Sequence, residues 1–115
     1  MTRRASALAK AFRGRWRLVE MDAWADEDMD LAGLAHITFE GDHAGSIAFV
    51  AVRAALDVRY GSRDGSACAE FSWKGSDGAE PACGRGWVAF GTAGRLVGHV
   101  FIHDGDDSGF VALRE

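Results

Sequence analysis

Residues 69–74, AEFSWK, alternate between apolar and polar side chains with a period of two. Ala69, Phe71 and Trp73 share one face of this segment, and the polar residues share the other. Such alternation is typical of a β-strand that buries one face and exposes the other. The same period occurs in RWRLVE (15–20) and AHITFE (35–40). The pattern therefore predicts an all-β fold.

Short segments rich in glycine and aspartate separate the alternating stretches. They are GDHAGS (41–46), SRDGS (62–66), GTAG (91–94) and DGDDSG (104–109). Glycine and aspartate favour tight turns, and closely spaced turns join antiparallel neighbours. About seven or eight strands result, and we predict an antiparallel meander that closes into a small barrel. Residues 75–84, GSDGAEPACG, are predicted to form a loop.

The longest apolar segment, SIAFVAVRAALDVRY (46–60), changes its alternation part-way. Ile47 and Phe49 fall on odd positions, whereas the later apolar residues fall on even ones. Because one extra residue moves every following side chain to the other face, this change indicates a bulge or bend near residues 51–55, or two separate strands.

A chain of 115 residues with 48% hydrophobic and 26% charged residues has the size and composition of one globular domain. We expect residues 1–12 to form a basic N-terminal tail or a short helix, and residues 13–115 to form a single barrel domain. The sequence has no apolar run long enough to cross a membrane, and its first residues lack the apolar centre of a signal peptide. We therefore expect a cytoplasmic protein.

The net charge of −4 is unevenly distributed along the chain. Residues 1–17 carry six basic and no acidic residues, so the remainder carries −10. A basic arm can bind nucleic acid, but here no recognition-helix pattern accompanies it and the rest of the chain is acidic. Nucleic acid is therefore not the expected partner.

The two cysteines are expected to be reduced thiols. If the strands around them form one symmetric hairpin about residues 78–79, Cys68 faces the region of Ala89 and Cys83 faces that of Lys74. A disulfide needs Cα atoms close together and facing one another, which this register does not provide.

The start of the first strand, Gly14-Arg15-Trp16, is followed by an acidic segment without alternation, AWADEDMDLAG (23–33). This start resembles that of the calycins, the group that contains the lipocalins and the fatty-acid-binding proteins. The resemblance implies a lipocalin-like barrel in which Trp16 plugs the closed end and Arg114 lies across its ring. It also implies a short helical segment at Trp24–Leu31 that caps the open end. The Arg-x-Tyr sequence that binds carboxylates in fatty-acid-binding proteins is absent.

The whole chain also resembles small bacterial proteins of no settled function. The shared segments are of the types FSWKGSD (71–77), GRGW (84–87) and HDGDDSGF (103–110). This resemblance implies no particular activity.

We predict that the barrel interior binds a small, partly apolar or amphipathic ligand. In this hypothesis Trp16 closes the floor, aromatic side chains line the wall, and Arg59 and His99 make polar contacts. The wall residues are Phe39, Phe71, Trp73 and Trp87. The alternative is a protein-interaction or self-association module, such as a homodimer, with a filled core and no ligand. Its contacts would come from the acidic segment Asp22–Asp30 or the basic N-terminus.

The orientation of two segments is left open by the sequence. Asp57 and Arg59 occupy odd positions, as Ile47 does. They lie inside the barrel if odd positions point inward along the whole segment, and on the surface if a bulge intervenes, which is the favoured alternative. His99 and His103 share a strand face that could point either way.

Catalytic and metal-binding patterns are weak. His103, Asp104 and Asp106 carry groups that could bind a divalent cation, but aspartate and glycine at this spacing are more typical of a turn. Ser72, Ser108 and Cys68 have no assignable catalytic partner, so we do not favour an enzyme. No metal and no cofactor is expected.

Overall fold

The computed structural model describes residues 3–115, with side chains from residue 7 onward. These residues form a closed barrel of eight antiparallel strands in chain order, and the first strand pairs with the last. The strands are β1 Gly14–Met21, β2 His36–Glu40, β3 Ala44–Phe49, β4 Val52–Arg63, β5 Ser66–Asp77, β6 Glu80–Phe90, β7 Leu96–Ile102 and β8 Asp107–Arg114. Helices α1 (Arg3–Phe12) and α2 (Asp26–Met29) precede and follow β1, and a short 3-10 turn spans Thr92–Gly94. The predicted all-β fold is confirmed.

The alternating segments bury the faces that their patterns predict. Ala69, Phe71 and Trp73 are buried, as are Trp16 of β1 and Phe39 of β2. Their apolar side chains meet in one cluster inside the barrel, which removes them from water and stabilises the fold. The predicted turns at 41–46, 62–66, 91–94 and 104–109 all connect consecutive strands.

The change of alternation in residues 46–60 comes from a hairpin and not from a bulge. Phe49 of β3 pairs with Val52 of β4, and only Val50 and Ala51 lie between them. The turn inverts the chain, so even positions point inward along β4 from Val52 onward. The alternative of two separate strands is therefore confirmed.

The loop predicted for residues 75–84 is wrong. β5 continues to Asp77, β6 begins at Glu80, and a two-residue turn joins them. Pro81 fits within β6 because β7 pairs only from Gly84 onward, so the missing proline N–H lies on an unpaired edge. The register places Cys68 opposite Ala89 and Cys83 opposite Lys74, as predicted, and both cysteines are free.

Helix α1 closes one end of the barrel. Phe12 is fully buried, and its ring centroid lies 4.8 Å from that of Phe90 and 5.5 Å from that of Tyr60. Trp16 lies beneath this helix and donates its indole N–H to the carbonyl of Phe12 at 2.8 Å. The guanidinium of Arg114 lies 4.1 Å from the centroid of the Trp16 ring, which confirms the contact that the calycin resemblance implies.

Helix α2 lies at the opposite end and forms the predicted helical segment after β1. Met29 is buried in the core cluster, and its carbonyl accepts the amide N–H of Val50 at 2.7 Å. The Trp24 ring packs 5.5 Å from that of Phe49. Both ends of the barrel are therefore covered by chain.

Candidate functional site

The seven predicted ligand-binding residues divide between the inside and the outside of the barrel. Four are buried in the core: Trp16, Phe39, Phe71 and Trp73. Arg59, Trp87 and His99 instead have their side chains on the outer face of β4, β6 and β7. For Trp87 the predicted place in the barrel interior is wrong, whereas for Arg59 the favoured surface alternative holds, and the face of His99, left open by the sequence, points outward.

The outward position of Trp87 follows from the residues beside it. Gly84 and Gly86 take the inward positions of β6 because β5 already fills that space. A Cβ at Gly84 would come within 2.7 Å of the Trp73 indole nitrogen, and one at Gly86 within 2.5 Å of the Phe71 ring. With the two glycines facing inward, the pleat directs Trp87 to solvent.

The alternation of inward and outward positions along β7 and β4 also places His99 and Arg59 on the outside. Leu96 and Val100 occupy the inward positions of β7 and are fully buried, so His99 points out. On β4 the inward positions are held by Leu56 and Val58, so Arg59 is exposed. The open question of the histidine face is settled in favour of the outside.

The outward side chains form two rows that cross four strands. In the first row Arg59 pairs with Glu70, Glu70 with Trp87, and Trp87 with His99. In the second row Asp57, Ser72, Arg85 and Phe101 follow one another in the same way. Directly opposed side chains on one sheet face lie about 4.5–5.5 Å apart at Cβ, so each row is a continuous contact surface.

A groove of about 540 Å³ runs along these rows on the outside of β4–β7. We call it the outer groove. It is open to solvent and is lined by Trp87, Phe101, three arginines and two carboxylates, with Phe71 and Ser72 also contributing. The arginines are Arg59, Arg63 and Arg85, and the carboxylates are those of Asp57 and Glu70.

The two aromatic rings of the outer groove each contact an arginine. The guanidinium of Arg63 lies 5.9 Å from the centroid of the Trp87 ring, and that of Arg85 lies 4.6 Å from the Phe101 ring. These are cation–π distances. The groove therefore offers flat apolar surfaces with positive charge beside them.

Two of the arginines are paired with carboxylates. Arg59 lies 3.4 Å from Asp57, and Arg63 lies 3.8 Å from Glu70. Among the described side chains, no carboxylate oxygen lies within 4.0 Å of Arg85. Arg85 is thus the cation of the outer groove whose charge is least compensated.

His99 borders the outer groove through Phe101. Their ring centroids lie 4.6 Å apart, and the imidazole Nε2 lies 2.5 Å from a carboxylate oxygen of Asp107. A carboxylate at this distance fixes the orientation of the imidazole ring. The imidazole therefore lies at the edge of the aromatic surface, beside Phe101.

The weak metal candidates lie in the turn between β7 and β8. The side chains of His103 and Asp104 are 71% and 91% exposed, and their closest approach is 3.4 Å. Asp104 has a positive φ of 55°, which is typical of a tight turn. Over residues 3–115, no group of three or more His, Cys, Asp or Glu residues could hold a metal ion.

The sequence analysis did not assign Arg63 and Phe101 to a binding site, although both line the outer groove. The hairpin register used to place the cysteines also pairs Trp87 with Glu70 and Arg85 with Ser72. Glu70 and Ser72 belong to the polar face of AEFSWK, so the same register assigns Trp87 and Arg85 to the outside.

Comparisons with protein-family models, with curated proteins and with solved structures give no match to this chain. The closed eight-stranded antiparallel barrel is compatible with a small calycin-like barrel. Neither helix of the described residues is long and apolar enough to span a membrane.

Proposed function

We propose that this protein binds a small, partly apolar ligand, and that the ligand lies in the outer groove rather than in the barrel interior. The observation that carries the proposal is the outer groove itself, where Trp87 and Phe101 face solvent beside three arginines. Its volume of about 540 Å³ is within the range of about 300–1,000 Å³ that is usual for small-molecule sites.

The packing of the interior supports this choice of site. Large side chains fill the barrel interior. They include Trp16 and Phe49 from the strands and Phe12 from α1, all of which are almost completely buried. In an eight-stranded barrel the interior is just wide enough to be filled by side chains or to hold one small ligand. With α1 and α2 across its ends, an interior ligand would have to displace core residues.

A ligand-observed NMR screen of aromatic fragments tests the proposal. Saturation-transfer spectra are recorded with the wild-type protein and with two variants, Trp87→Ala and Val97→Ala. Val97 is the matched control because it is an exposed apolar residue on the outer face of β7 and does not line the outer groove.

We expect the wild-type protein to give fragment signals that Trp87→Ala abolishes and Val97→Ala retains. Signals that persist in Trp87→Ala would place binding elsewhere and overturn the outer groove as the site. A screen without any signal would overturn small-ligand binding itself.

A second candidate function is self-association, and the exposed leucines after α2 favour it. Leu31 and Leu34 are 68% and 51% exposed, directly after the acidic residues of α2. Exposed large apolar side chains close together often mark a protein contact. Sedimentation velocity of the wild type and of Leu31→Ser/Leu34→Ser is the test. A dimer that the double substitution dissociates would support it, and a monomeric wild type would exclude it.

The calycin relationship is likewise proposed. Its support is the contact of Arg114 with Trp16 at the end that α1 covers, together with the short helix α2 after β1. A crystal structure that matches the strand order and tilt of known calycins would support the relationship, and a different shear would contradict it.

A further inference from the structure

Resting on the proposed function, we infer that the ligand of the outer groove is a planar aromatic acid, with its ring against Trp87 and its anionic group on Arg85. The charge pairing within the groove and the arrangement of its aromatic rings support this assignment.

Arg85 is suited to hold the anionic group. The carboxylates of the groove lie against Arg59 and Arg63, whereas Arg85 stacks on Phe101 at 4.6 Å. A guanidinium that stacks through its face keeps its in-plane N–H donors available at the edge. Those donors match the two oxygens of a carboxylate or a phosphate in a bidentate arrangement.

The charge balance of the outer groove indicates an anion of low charge. Three arginines and two carboxylates line it, so it has one net positive charge on a chain of net charge −4. A polyanion would meet the carboxylates of Asp57 and Glu70, which would repel it. A ligand with one acid group places its charge on Arg85 and keeps the remainder uncharged.

The aromatic surface indicates a flat ring. Trp87 and Phe101 lie on neighbouring strands and belong to adjacent rows, so they are diagonal neighbours on one sheet face. A planar ring can stack on such a surface, and stacking of this kind is tolerant of the exact ring chemistry. The guanidinium of Arg63 lies over the Trp87 ring, 5.9 Å from its centroid, and places a second cation next to the stacking surface.

Isothermal titration calorimetry with matched naphthalene compounds tests the inference. The probes are 2-naphthoate, 2-naphthyl phosphate and the uncharged 2-naphthalenemethanol, which share one ring system. The proteins are the wild type, Arg85→Gln, Arg95→Gln and Trp87→Ala. Arg95→Gln is the matched control because it removes an exposed arginine that does not line the outer groove. Thermal unfolding verifies that each variant is folded.

We expect the wild type to bind at least one of the two acids about tenfold more tightly than 2-naphthalenemethanol, because only the acids accept a charge-assisted hydrogen bond from Arg85. Arg85→Gln should reduce this preference to less than about threefold, while Arg95→Gln should retain it. Tighter binding of the phosphate or of the carboxylate identifies the acid group, and either result supports the inference.

Equal binding of acid and alcohol by the wild type would overturn the inference, as would a preference that Arg85→Gln retains. If Trp87→Ala abolishes binding in those cases, the proposed function stands and only the ligand class is wrong. If no naphthalene compound binds although the fragment screen gives signals that depend on Trp87, the inference again fails alone. A screen without signals overturns both.

Discussion

Gly84 of β6 lies against the indole ring of Trp73 on β5, at a distance that leaves no room for a Cβ. A Cβ there would approach the indole nitrogen to 2.7 Å and the carbonyl oxygen of Phe101 to 1.9 Å. The same indole N–H donates to the Phe101 carbonyl at 3.2 Å. This close approach fixes which residues of β6 point inward, and it thereby places Trp87 in the outer groove.

Substitution Gly84→Ala should destabilise the protein by about 1–3 kcal/mol because the new methyl group overpacks the core at a backbone oxygen. Urea unfolding measures the loss. Gly61→Ala is the control, since its Cβ would have no neighbour within 4 Å and the backbone there is not left-handed. Equal stability of the two variants would contradict the packing of β6 against Trp73.

The two tryptophans Trp73 and Trp87 should differ sharply in their contributions to stability. Trp73 is 2% exposed in the core, so Trp73→Ala should lower the free energy of unfolding by about 3–5 kcal/mol. Trp87 lies on the outer face, and Trp87→Ala should cost less than about 1.5 kcal/mol. Urea unfolding of both variants measures this difference, and a larger loss for Trp87→Ala would contradict the outward orientation.

Arg114 connects the last strand to helix α1 as well as to Trp16. Its guanidinium donates to the carbonyls of Arg13 at 2.7 Å and Ala11 at 2.9 Å while it stacks on the indole ring. Lysine keeps the charge but cannot make two directed hydrogen bonds and a stacked contact together. We therefore expect Arg114→Lys to lower the free energy of unfolding by about 1–2 kcal/mol. Arg95→Lys, at an exposed position, is the control in thermal unfolding and should leave the stability unchanged.

The hydroxyl of Tyr60 is buried and has no hydrogen-bond partner among the described residues. An unsatisfied buried hydroxyl costs free energy, so Tyr60→Phe should stabilise the protein by about 1 kcal/mol at neutral pH. Denaturant unfolding of the two proteins measures the gain. A loss of stability would show that the hydroxyl makes a favourable interaction.

The same tyrosine predicts a loss of stability at high pH. Burial raises the pKa of Tyr60 to about 12 from its ordinary value of 10.0. The tyrosine therefore ionises at a lower pH in the unfolded chain than in the folded protein. Its contribution to stability is fully present below pH 10.0 and is lost as the pH rises towards about 12. The stability difference between Tyr60→Phe and the wild type should therefore increase across this range, measured by denaturant unfolding at each pH. Tyr60 is the single tyrosine of the sequence, so its ultraviolet absorbance reports its ionisation directly. A difference that does not change with pH would contradict the raised pKa.

Much of the fold follows from local patterns in the sequence. The alternation in β1, β2 and β5 identifies the buried faces, because a strand with one buried face must place apolar residues at every second position. The Asp64-Gly65 turn is also readable, since both residues adopt the positive φ that this dipeptide favours between paired strands. The contact of Arg114 with Trp16 came from the resemblance to calycins and not from any local pattern.

The errors arose where small residues have more than one structural use. Glycine and Pro81 in residues 75–84 suggest a loop, whereas Gly75 and Gly84 are there because neighbouring backbone leaves no space for a side chain. The turn at Val50 has a β-branched residue at a φ of 54°, a conformation that such residues rarely adopt, so only the change of alternation marks it in the sequence. The close approaches at Gly75 and Gly84 are visible only in the tertiary structure.

The candidate site was only partly predictable for a related reason. Aromatic residues were assigned to the interior as a set, and for Trp87 that assignment ignored the pairing with Glu70. The outer groove needs four strands in register, and the pairing of β4 with β5 and of β6 with β7 brings Arg59 and Phe101 to it. A long-range arrangement of this kind has no signature within a single segment.

A ¹H–¹⁵N correlation spectrum of the four tryptophan indole groups, recorded during titration with 2-naphthoate, tests directly whether the ligand lies in the outer groove or in the barrel interior. The indole N–H of Trp16 is buried and bonded to Phe12, so it reports the interior, whereas that of Trp87 reports the outer groove. We expect a saturable shift of the Trp87 signal while the Trp16 signal stays in place. A shift of Trp16 with Trp87 unchanged would show that ligand enters the barrel, and would contradict the outer groove as the binding site.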